Sequence, residues 1–261
     1  MHFTKMHGLG NDYLYVYGEV PENIADISRR LSDRHFGAGA DGMIYISHSD
    51  AADFKMRIFN ADGSEGKMCG NGIRCVGKYV YEKGYTDKTA LKIETLSGIK
   101  TLSLNLHNGK VERVSVAMGA AKVDRPMAFS QKNETYSLHP VDMGNPHAVI
   151  FTQSVEELDI TAIGTAVQPL FTGGINVEFV QVLGNNKLRM RVWERGSGIT
   201  LACGTGACAS AAAAVNEGLC ERAQTITVIL DGGALEIGVG DNNEIQMTGP
   251  AAFVYEGETE I

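Results

Sequence analysis

The chain has 261 residues, a formal net charge of −8 at pH 7 and an apolar fraction of 44%. This length suits one large domain or two ordinary ones, and the acidic balance argues against nucleic acid as a partner, because phosphate binding depends on clustered Lys and Arg. No apolar run reaches the roughly 18 residues that a membrane-spanning helix requires. No apolar stretch follows Met1–Lys5, so we expect a cytoplasmic protein without a secretory signal.

The first part of the chain is predicted to contain two helices among many strands. Helical spacing and charge predict a helix over 24–34, and a second helix over 71–83 is closed by Gly84. Alternating or β-rich composition predicts the strands 13–17, 43–47, 56–59, 91–95, 101–106 and 111–118.

The second part repeats this composition. A helix is predicted over 155–167, and another over 205–217 is almost entirely alanine, which indicates close packing on all sides. We place the domain boundary after residue 118, giving an N-terminal half (1–118) and a C-terminal half (119–250), with a last strand at about 251–261 that returns to the first half. The predicted strands are 148–151, 177–182, 188–193, 225–230 and 235–239.

An internal duplication relates the two halves at an offset of 134 positions. Cys69-Gly70-Asn71-Gly72 corresponds to Cys203-Gly204-Thr205-Gly206, and Gly10-Asn11 to Gly144-Asn145. Two further landmarks, at 57–60 and Gly39, recur at the same offset. We therefore expect two similar halves, each carrying a thiol in the same place, with the two thiols facing one another across a cleft.

The five cysteines form an odd set without a Cys-x-x-Cys pair, which argues against both a disulfide framework and a structural zinc site. The repeated glycine context identifies Cys69 and Cys203 as reactive thiols, whereas Cys75, Cys208 and Cys220 are interpreted as small buried side chains.

Both Cys-Gly-x-Gly segments precede a predicted helix, where unpaired backbone amides and the helix dipole favour an anion such as a carboxylate. The same field is expected to lower the pKa of each thiol. A carboxylate held between two thiols loses its α-proton to one and regains a proton from the other, which inverts the carbon. Amides that stabilise the enolate-like transition state make a cofactor unnecessary, so we expect neither a cofactor nor a metal.

Six segments carry a resemblance to a known family: residues 6–12, 59–65, 69–75, 143–147, 194–196 and 202–207. Together they resemble the diaminopimelate epimerase family over the whole chain. The resemblance implies interconversion of LL- and meso-2,6-diaminopimelate without pyridoxal phosphate, in lysine biosynthesis and, in many bacteria, for peptidoglycan. It also implies an α+β fold of two pseudo-symmetric halves, each a curled, mainly antiparallel, barrel-like sheet around a central helix, with the active site in the cleft between them. A homodimer is implied as well.

The resemblance also implies residue roles. Cys69 is the proton donor and Cys203 the acceptor in one direction, with His147 and Glu194 tuning the pKa values of the thiols. Which of these two serves which cysteine stays open. The implied substrate contacts are Asn11, Asn60, Gly70, Asn71, Asn145, Asn176, Glu194, Arg195, Gly204 and Thr205.

One position departs from part of the family. Gly42, the repeat partner of Asn176, stands where some members have Gln, so we expect a lost side-chain contact and an unchanged reaction.

Three other functions stay open at this point. One is a two-thiol racemase of histidine, glutamate or proline type. Its simple amino-acid substrate would lack the second head group that suits Asn60, Asn176, Glu194 and Arg195. An isomerase acting on a phenazine precursor has the same fold but lacks the paired thiols. An anion-binding or redox protein would use the two thiols as a disulfide switch.

Overall fold

The structure, a computed structural model, describes residues 1–132 and 134–260, and within them it has four α-helices and nineteen strands. The chain divides into two compact units. Unit 1 contains Met1–Val116 and the chain from Gly249 onward, and unit 2 is Ala117–Thr248. The boundary was predicted after residue 118, and the two compact units divide after Val116. Ile261, the last residue of the predicted C-terminal strand, lies outside the described residues.

Unit 1 is a curled sheet with two helices. Its chain ends meet, because the C-terminal strand pairs antiparallel with the N-terminal strand in the register His2 to Glu258. The elements are β1 (His2–Gly8), β2 (Asn11–Tyr17), α1 (Ile24–Ser32), β3 (Gly42–Ser47), β4 (Phe54–Asn60), β5 (Glu65–Gly66), α2 (Gly70–Glu82), β6 (Ala90–Thr95), β7 (Gly98–His107) and β8 (Lys110–Ala120), joined by the C-terminal strand Ala252–Glu258.

Helix α2 is the central helix of unit 1. It contacts β1, β2 and β7, and Ile73, Val76 and Val80 on its apolar face are fully buried. The helix ends where the backbone of Gly84 adopts a positive φ of 77°, a conformation that glycine reaches without strain. This burial fixes the N-terminal end of α2, where Cys69 lies.

Unit 2 has the same kinds of element. The chain of alanines in its second helix is buried throughout, as predicted from the absence of large side chains. The elements are β9 (Lys122–Val123), β10 (Met127–Gln131), β11 (Glu134–Asp142), β12 (Pro146–Thr152), α3 (Ile160–Val167), a 3₁₀ turn (Gln168–Leu170), β13 (Asn176–Gly184), β14 (Lys187–Glu194), β15 (Gly198–Thr200), α4 (Gly204–Asn216), β16 (Ile226–Leu230), β17 (Gly233–Val239) and β18 (Glu244–Pro250), before the C-terminal β19 (Ala252–Glu258).

Strands β9, β11–β14, β16 and β17 all contact α4. Ten of its thirteen residues are buried. Small alanine side chains let strands approach α4 from every direction. The helix is therefore stabilised by burial on all sides and not by packing of a single apolar face.

The internal repeat extends to the strand pairing. Strands β2 and β3 pair in parallel in unit 1, as β12 and β13 do in unit 2, and the antiparallel neighbours β3–β4 and β13–β14 match too. The sheet is therefore mixed, although most pairs are antiparallel. The predicted fold class is confirmed. Equivalent pairs are Leu14 to Met43 and Ala148 to Val177, then Ile44 to Ile58 and Glu178 to Val192.

The prediction was wrong in two respects. Helix α3 begins at Ile160 and not at 155, because the Asp159 side chain accepts a hydrogen bond from the Ala162 amide and sets the start there, while Val155 is buried in the core. Strands β1, β10, β11 and β18 were missed, as were the two- or three-residue strands β5, β9 and β15. Within residues 1–132 and 134–260, no helix combines the length and the apolar composition needed to span a membrane.

Candidate active site

Cys69 is the N-cap residue of α2. Its backbone is extended (φ −132°, ψ 119°), and its Sγ accepts a hydrogen bond from the amide of Gly72 at 3.3 Å. The buried residues Gly70 and Asn71 form the first turn. The predicted arrangement of a thiol at the amide-rich end of a helix is therefore present in unit 1.

Asn11 is the side chain that Cys69 contacts from β2. The thiol donates to Asn11 Oδ1 at 3.2 Å, and Asn71 Nδ2 donates to the same oxygen at 3.4 Å. On the other side, Asn11 Nδ2 donates to Asp41 Oδ2 at 2.7 Å. Because Asp41 accepts only, it fixes the amide with its oxygen toward the thiol.

Asp41 belongs to a charged cluster next to β2. It accepts hydrogen bonds from the Asp12 amide at 3.1 Å and from Arg34 Nη2 at 2.9 Å. Burial acts to raise the pKa of Asp12, yet hydrogen bonds from Arg34 and Lys5 hold it below its usual value. The carboxylates behind Asn11 are therefore paired with cations.

Arg74 braces the helix end from inside unit 1. Its side chain is fully buried, and its guanidinium donates to Asn71 Oδ1 at 3.0 Å and to the carbonyls of Gly70 and Pro250, each at 3.2 Å. Asn71 is thus held from both sides, by Arg74 and Asn11.

Asn60 and Gly42 are adjacent across β3 and β4, since Gly42 pairs with Asn60. Asn60 Nδ2 donates to Ser64 Oγ at 3.0 Å, within the turn that follows β4. A Cβ at Gly42 would lie 2.2 Å from the carbonyl oxygen of Phe59. A side chain at this position would therefore require the backbone to move.

Cys203 is the N-cap residue of α4 and is buried. Its backbone is again extended (φ −116°, ψ 108°), its Sγ accepts from the Gly206 amide at 3.4 Å, and Thr205 Oγ1 lies 3.6 Å away. The two cysteines therefore cap their helices in the same way, but Cys69 is half-buried whereas Cys203 is buried, and their neighbours differ.

Those neighbours in unit 2 are ionisable. His147 Nδ1 lies 2.7 Å from Glu178 Oε1, and both side chains are fully buried. Glu194 is half-buried at the end of β14 and accepts a hydrogen bond from Thr200. Both predicted tuning residues, His147 and Glu194, lie in unit 2 together with Cys203.

The pKa of Cys203 is raised well above its usual value, first by burial and then by the charges of Glu194 and Glu178. Hydrogen bonds from Thr205 and Gly206 act to lower it but are outweighed. Burial, with the charge of Glu178, also raises the pKa of Glu194. The expectation that the helix end lowers the thiol pKa is therefore wrong for Cys203, because helix position alone does not specify the dielectric or the nearby charges.

The remaining predicted contacts in unit 2 are held by neighbouring side-chain and backbone groups. Asn145 Nδ2 donates to Thr205 Oγ1 at 3.3 Å. Asn176, paired with His147 in the sheet, accepts from the Arg195 amide at 2.9 Å and donates to the carbonyl of Pro146 at 3.3 Å. Arg195 is exposed, and its Nη1 donates to the carbonyl of Gly173 at 2.9 Å. Gly204 is buried in the first turn of α4.

Ligand atoms of His147, Glu178 and Cys203 lie within 4.8 Å of one another, close enough to consider a metal ion. Sulfur, imidazole and carboxylate donors suit Zn²⁺, but ligands around a tetrahedral zinc stand about 3.3 Å apart or more. The His147–Glu178 contact of 2.7 Å is shorter than this, so the pair fits a direct hydrogen bond and not a shared ion.

Glu178 and Asp41 are among the residues of these sites that were not predicted from the sequence. Glu178 could have been found as the lone charge in an otherwise apolar strand, because an acidic side chain there must be paired. Asp41 gave no signal, since Asp41-Gly42 reads equally well as a turn.

The chain is similar in sequence to proteins named diaminopimelate epimerase. One from Acetivibrio thermocellus is 47% identical, with 100% of this chain and 99% of that protein covered. One from Methanococcus maripaludis is 49% identical over 100% of both chains. One from Bacillus subtilis strain 168 is 48% identical, with coverages of 98% and 97%.

Solved structures with the same fold are more distant in sequence. A Bacillus anthracis phenazine biosynthesis protein of the PhzF family has a TM-score of 0.80 at 15% identity, covering 100% of this chain and 99% of that one. A probable proline racemase from Agrobacterium radiobacter K84 has a TM-score of 0.77 at 16% identity, with coverages of 100% and 93%. The family model described as diaminopimelate epimerase matches residues 3–123 and 140–254. The chain belongs to the diaminopimelate epimerase family and is an isomerase of that kind.

Proposed function

We propose that this chain inverts one α-carbon of diaminopimelate, interconverting the LL and meso isomers, with Cys69 and Cys203 as the two acid/base groups. The observation that carries the proposal is the paired geometry: each thiol is the N-cap of a buried helix and accepts an amide hydrogen bond from the glycine three residues on. No cofactor is required by this chemistry.

The first step is binding of the reacting α-carboxylate. In each unit the first helical turn, at Gly70-Asn71 and Gly204-Thr205, offers amides without helical partners to the carboxylate. As the α-proton leaves, negative charge grows on that carboxylate, and the same amides stabilise it. They therefore lower the barrier to carbanion formation.

The second step is proton transfer at sulfur. In one direction the Cys203 thiolate takes the α-proton and the Cys69 thiol supplies another to the opposite face. The reverse direction exchanges these roles. Burial raises the pKa of Cys203, and the charge of Glu194 raises it further; a substrate ammonium bound beside Glu194 would offset that charge. Substrate binding is thus expected to favour the thiolate that the reaction needs.

Recognition of the second amino-acid head group separates this function from simpler racemases. Arg195 suits the distal carboxylate through a paired, charge-assisted contact. Asn145 and Asn176 supply neighbouring polar groups in unit 2, as do Asn11 and Asn60 in unit 1. We further propose a small-molecule amino acid as the only substrate class, a cytoplasmic location, a homodimer and a role in lysine biosynthesis.

The test is to incubate the reduced enzyme with LL-diaminopimelate, glutamate, proline and histidine in deuterium oxide and follow proton NMR. We expect the meso isomer, carrying deuterium at one α-carbon, from the first substrate and no exchange with the other three. Exchange with a simple amino acid, and none with diaminopimelate, would replace the epimerase by a racemase. No exchange with any substrate would leave the redox alternative.

A further inference from the structure

Trp193, the one tryptophan of the chain, lies in β14 immediately before Glu194. Successive side chains of a strand point to opposite faces of the sheet, so the indole lies on the face opposite to Glu194. On that face it is partly buried and packs against the apolar core cluster of unit 2. Trp193 is therefore outside the group of side chains around Cys203, although it adjoins one of them in the chain.

Helix α3 approaches the indole through a glycine. Gly164 lies in the middle of α3 and is buried, and a Cβ there would lie 2.7 Å from Cβ and Cδ1 of Trp193 and closer still to Cγ. Glycine in the interior of a helix is destabilising relative to alanine. The close contact accounts for its presence in a helix of eight residues, since any larger residue would displace the indole.

The other end of the indole lies against β15. Gly198, at the start of β15, has a φ of 73°, and a Cβ there would lie 3.4 Å from Cζ3 and 3.6 Å from Cη2 of Trp193. The indole Nε1 is buried and has no hydrogen-bond partner among the described residues. The indole is therefore held between α3 and β15 by its shape and not by a polar contact.

Strand β15 carries the hydrogen-bond donor of Glu194. The strand has only three residues, so few backbone hydrogen bonds hold it to β14. Its Thr200 pairs with Val192, on the same face of the sheet as Glu194, and donates a hydrogen bond to the Glu194 carboxylate. Glu194 also contacts the Cys203 thiol. A shift of β15 away from β14 would therefore move this carboxylate relative to the thiol.

We propose that Trp193 is a positioning residue: by filling the space between Gly164 and Gly198, its indole keeps β15 against β14 and so holds the Glu194 carboxylate at Cys203. Helix α3 thereby acts on the site through a side chain on the opposite face of the sheet. The inference deepens the proposed function, on which it rests, because it gives the cause for the placement of one of its substrate-binding residues.

The test is a double-mutant cycle between Trp193 and Glu194. Its readout is the rate at which iodoacetamide alkylates Cys203 in the reduced, substrate-free enzyme, measured by mass spectrometry across pH. Burial raises the pKa of Cys203 and the charge of Glu194 raises it further. Because iodoacetamide reacts with the thiolate, Glu194→Gln should speed the reaction about tenfold near neutral pH, the effect of about one pKa unit. The other ionisable neighbours, Glu178 and His147, are present in every variant.

Trp193→Phe keeps an aromatic ring beside Gly164, shortens it at the Gly198 end and removes no hydrogen bond. We expect it to speed alkylation of Cys203 roughly threefold, because the carboxylate of Glu194 is displaced and not removed. In the Glu194→Gln background it should add nothing, since no charge is left to displace. Gly164→Ala, which moves the indole from the α3 side, should behave in the same way and supplies a second cycle where the first variant does not fold.

Two control variants separate this role from a loss of stability. Gly77→Ala adds a Cβ to another buried helical glycine, in α2, where it would lie 3.0 Å from methyl groups of two leucines. Ile150→Val trims the core cluster against which Trp193 packs. Neither should change the alkylation rate of Cys203, whatever its effect on Tm.

Three results would overturn the proposal: no acceleration in Glu194→Gln or in a folded Trp193→Phe enzyme, a threefold acceleration by Trp193→Phe that persists in the Glu194→Gln background, or the same acceleration in Ile150→Val. The second result would mean that the indole only limits access of the reagent to Cys203. None of these readouts uses substrate. Failure to turn over diaminopimelate would therefore count against the proposed function alone, and a wrong alkylation result against the role of Trp193 alone.

Discussion

Asp41→Asn tests whether the orientation of Asn11 matters for Cys69. Asp41 accepts from Asn11 Nδ2 at 2.7 Å, and this contact turns the amide oxygen toward the thiol at 3.2 Å. Asparagine at position 41 keeps the shape but offers one acceptor and one donor, so the amide of Asn11 is free to turn over. The oxygen that accepts from Cys69 would then be replaced by NH₂ for part of the time.

The expected loss of kcat/KM depends on how exposed the Asp41 side chain is. A hydrogen bond to a charged group contributes about 1.5–3 kcal/mol, but the Asp41 side chain is 39% exposed, so solvent screening reduces this. Halving gives about 0.75–1.5 kcal/mol, which is roughly a three- to twelvefold loss of kcat/KM.

The assay is steady-state kinetics with LL-diaminopimelate, alongside thermal unfolding. Asp53→Asn is the matched control: Asp53 in unit 1 accepts from Lys88 Nζ at 2.6 Å and from the Lys92 amide at 2.7 Å, and these contacts do not involve Cys69. It should lower Tm without lowering kcat/KM. An Asp41→Asn enzyme within twofold of wild type, or an equal loss in Asp53→Asn, would refute the reasoning.

Three further predictions concern unit 2. Because the pKa of Glu194 is raised in the folded protein, Glu194 ionises in the unfolded chain at lower pH, and the free energy of unfolding falls as pH rises above about 4.5. Glu194→Gln should therefore raise Tm at pH 8 while lowering kcat at least tenfold. An unchanged or lower Tm would contradict this. Arg195→Lys should raise KM for diaminopimelate about tenfold with a smaller change in kcat, because lysine cannot make a bidentate contact with the distal carboxylate. A loss in kcat alone would show that Arg195 does not bind that carboxylate. Gly206→Ala should lower both Tm and kcat more than Gly72→Ala does. The new Cβ at position 206 would meet the buried carboxylate of Glu178, whereas that at position 72 would meet a rotatable methyl group of Ile44. Equal losses in steady-state kinetics and thermal unfolding would show that the two positions are equivalent.

The helix ends could be predicted from short sequence motifs. Gly84 set the end of α2, and each repeated Cys-Gly-x-Gly predicted the start of a helix to within one residue of Gly70 and Gly204. The offset of the repeat even anticipated equivalent strand pairs. These features depend on caps and turns, which are fixed by a few neighbouring residues.

Features that depend on pairing between distant segments were not predicted. Strand β11 is exposed along much of its length, so its sequence lacks a regular alternation of apolar and polar residues. Strand β1 was interpreted only as an amino-terminal segment. Burial raises the pKa of Cys203, and Glu194 and Glu178 from two other strands raise it further. Asn11 is oriented by Asp41, thirty residues away. Such contacts follow only from the folded arrangement.

The central claim is that Cys69 and Cys203 together carry the two proton transfers. It is tested most directly by solvent deuterium incorporation at the α-carbon of LL-diaminopimelate in the wild type, Cys69→Ala and Cys203→Ala, each checked for folding by circular dichroism. We predict meso product with one deuterium from the wild type and at least a hundredfold slower inversion in either variant. Inversion at an undiminished rate in either folded variant would contradict the two-thiol mechanism.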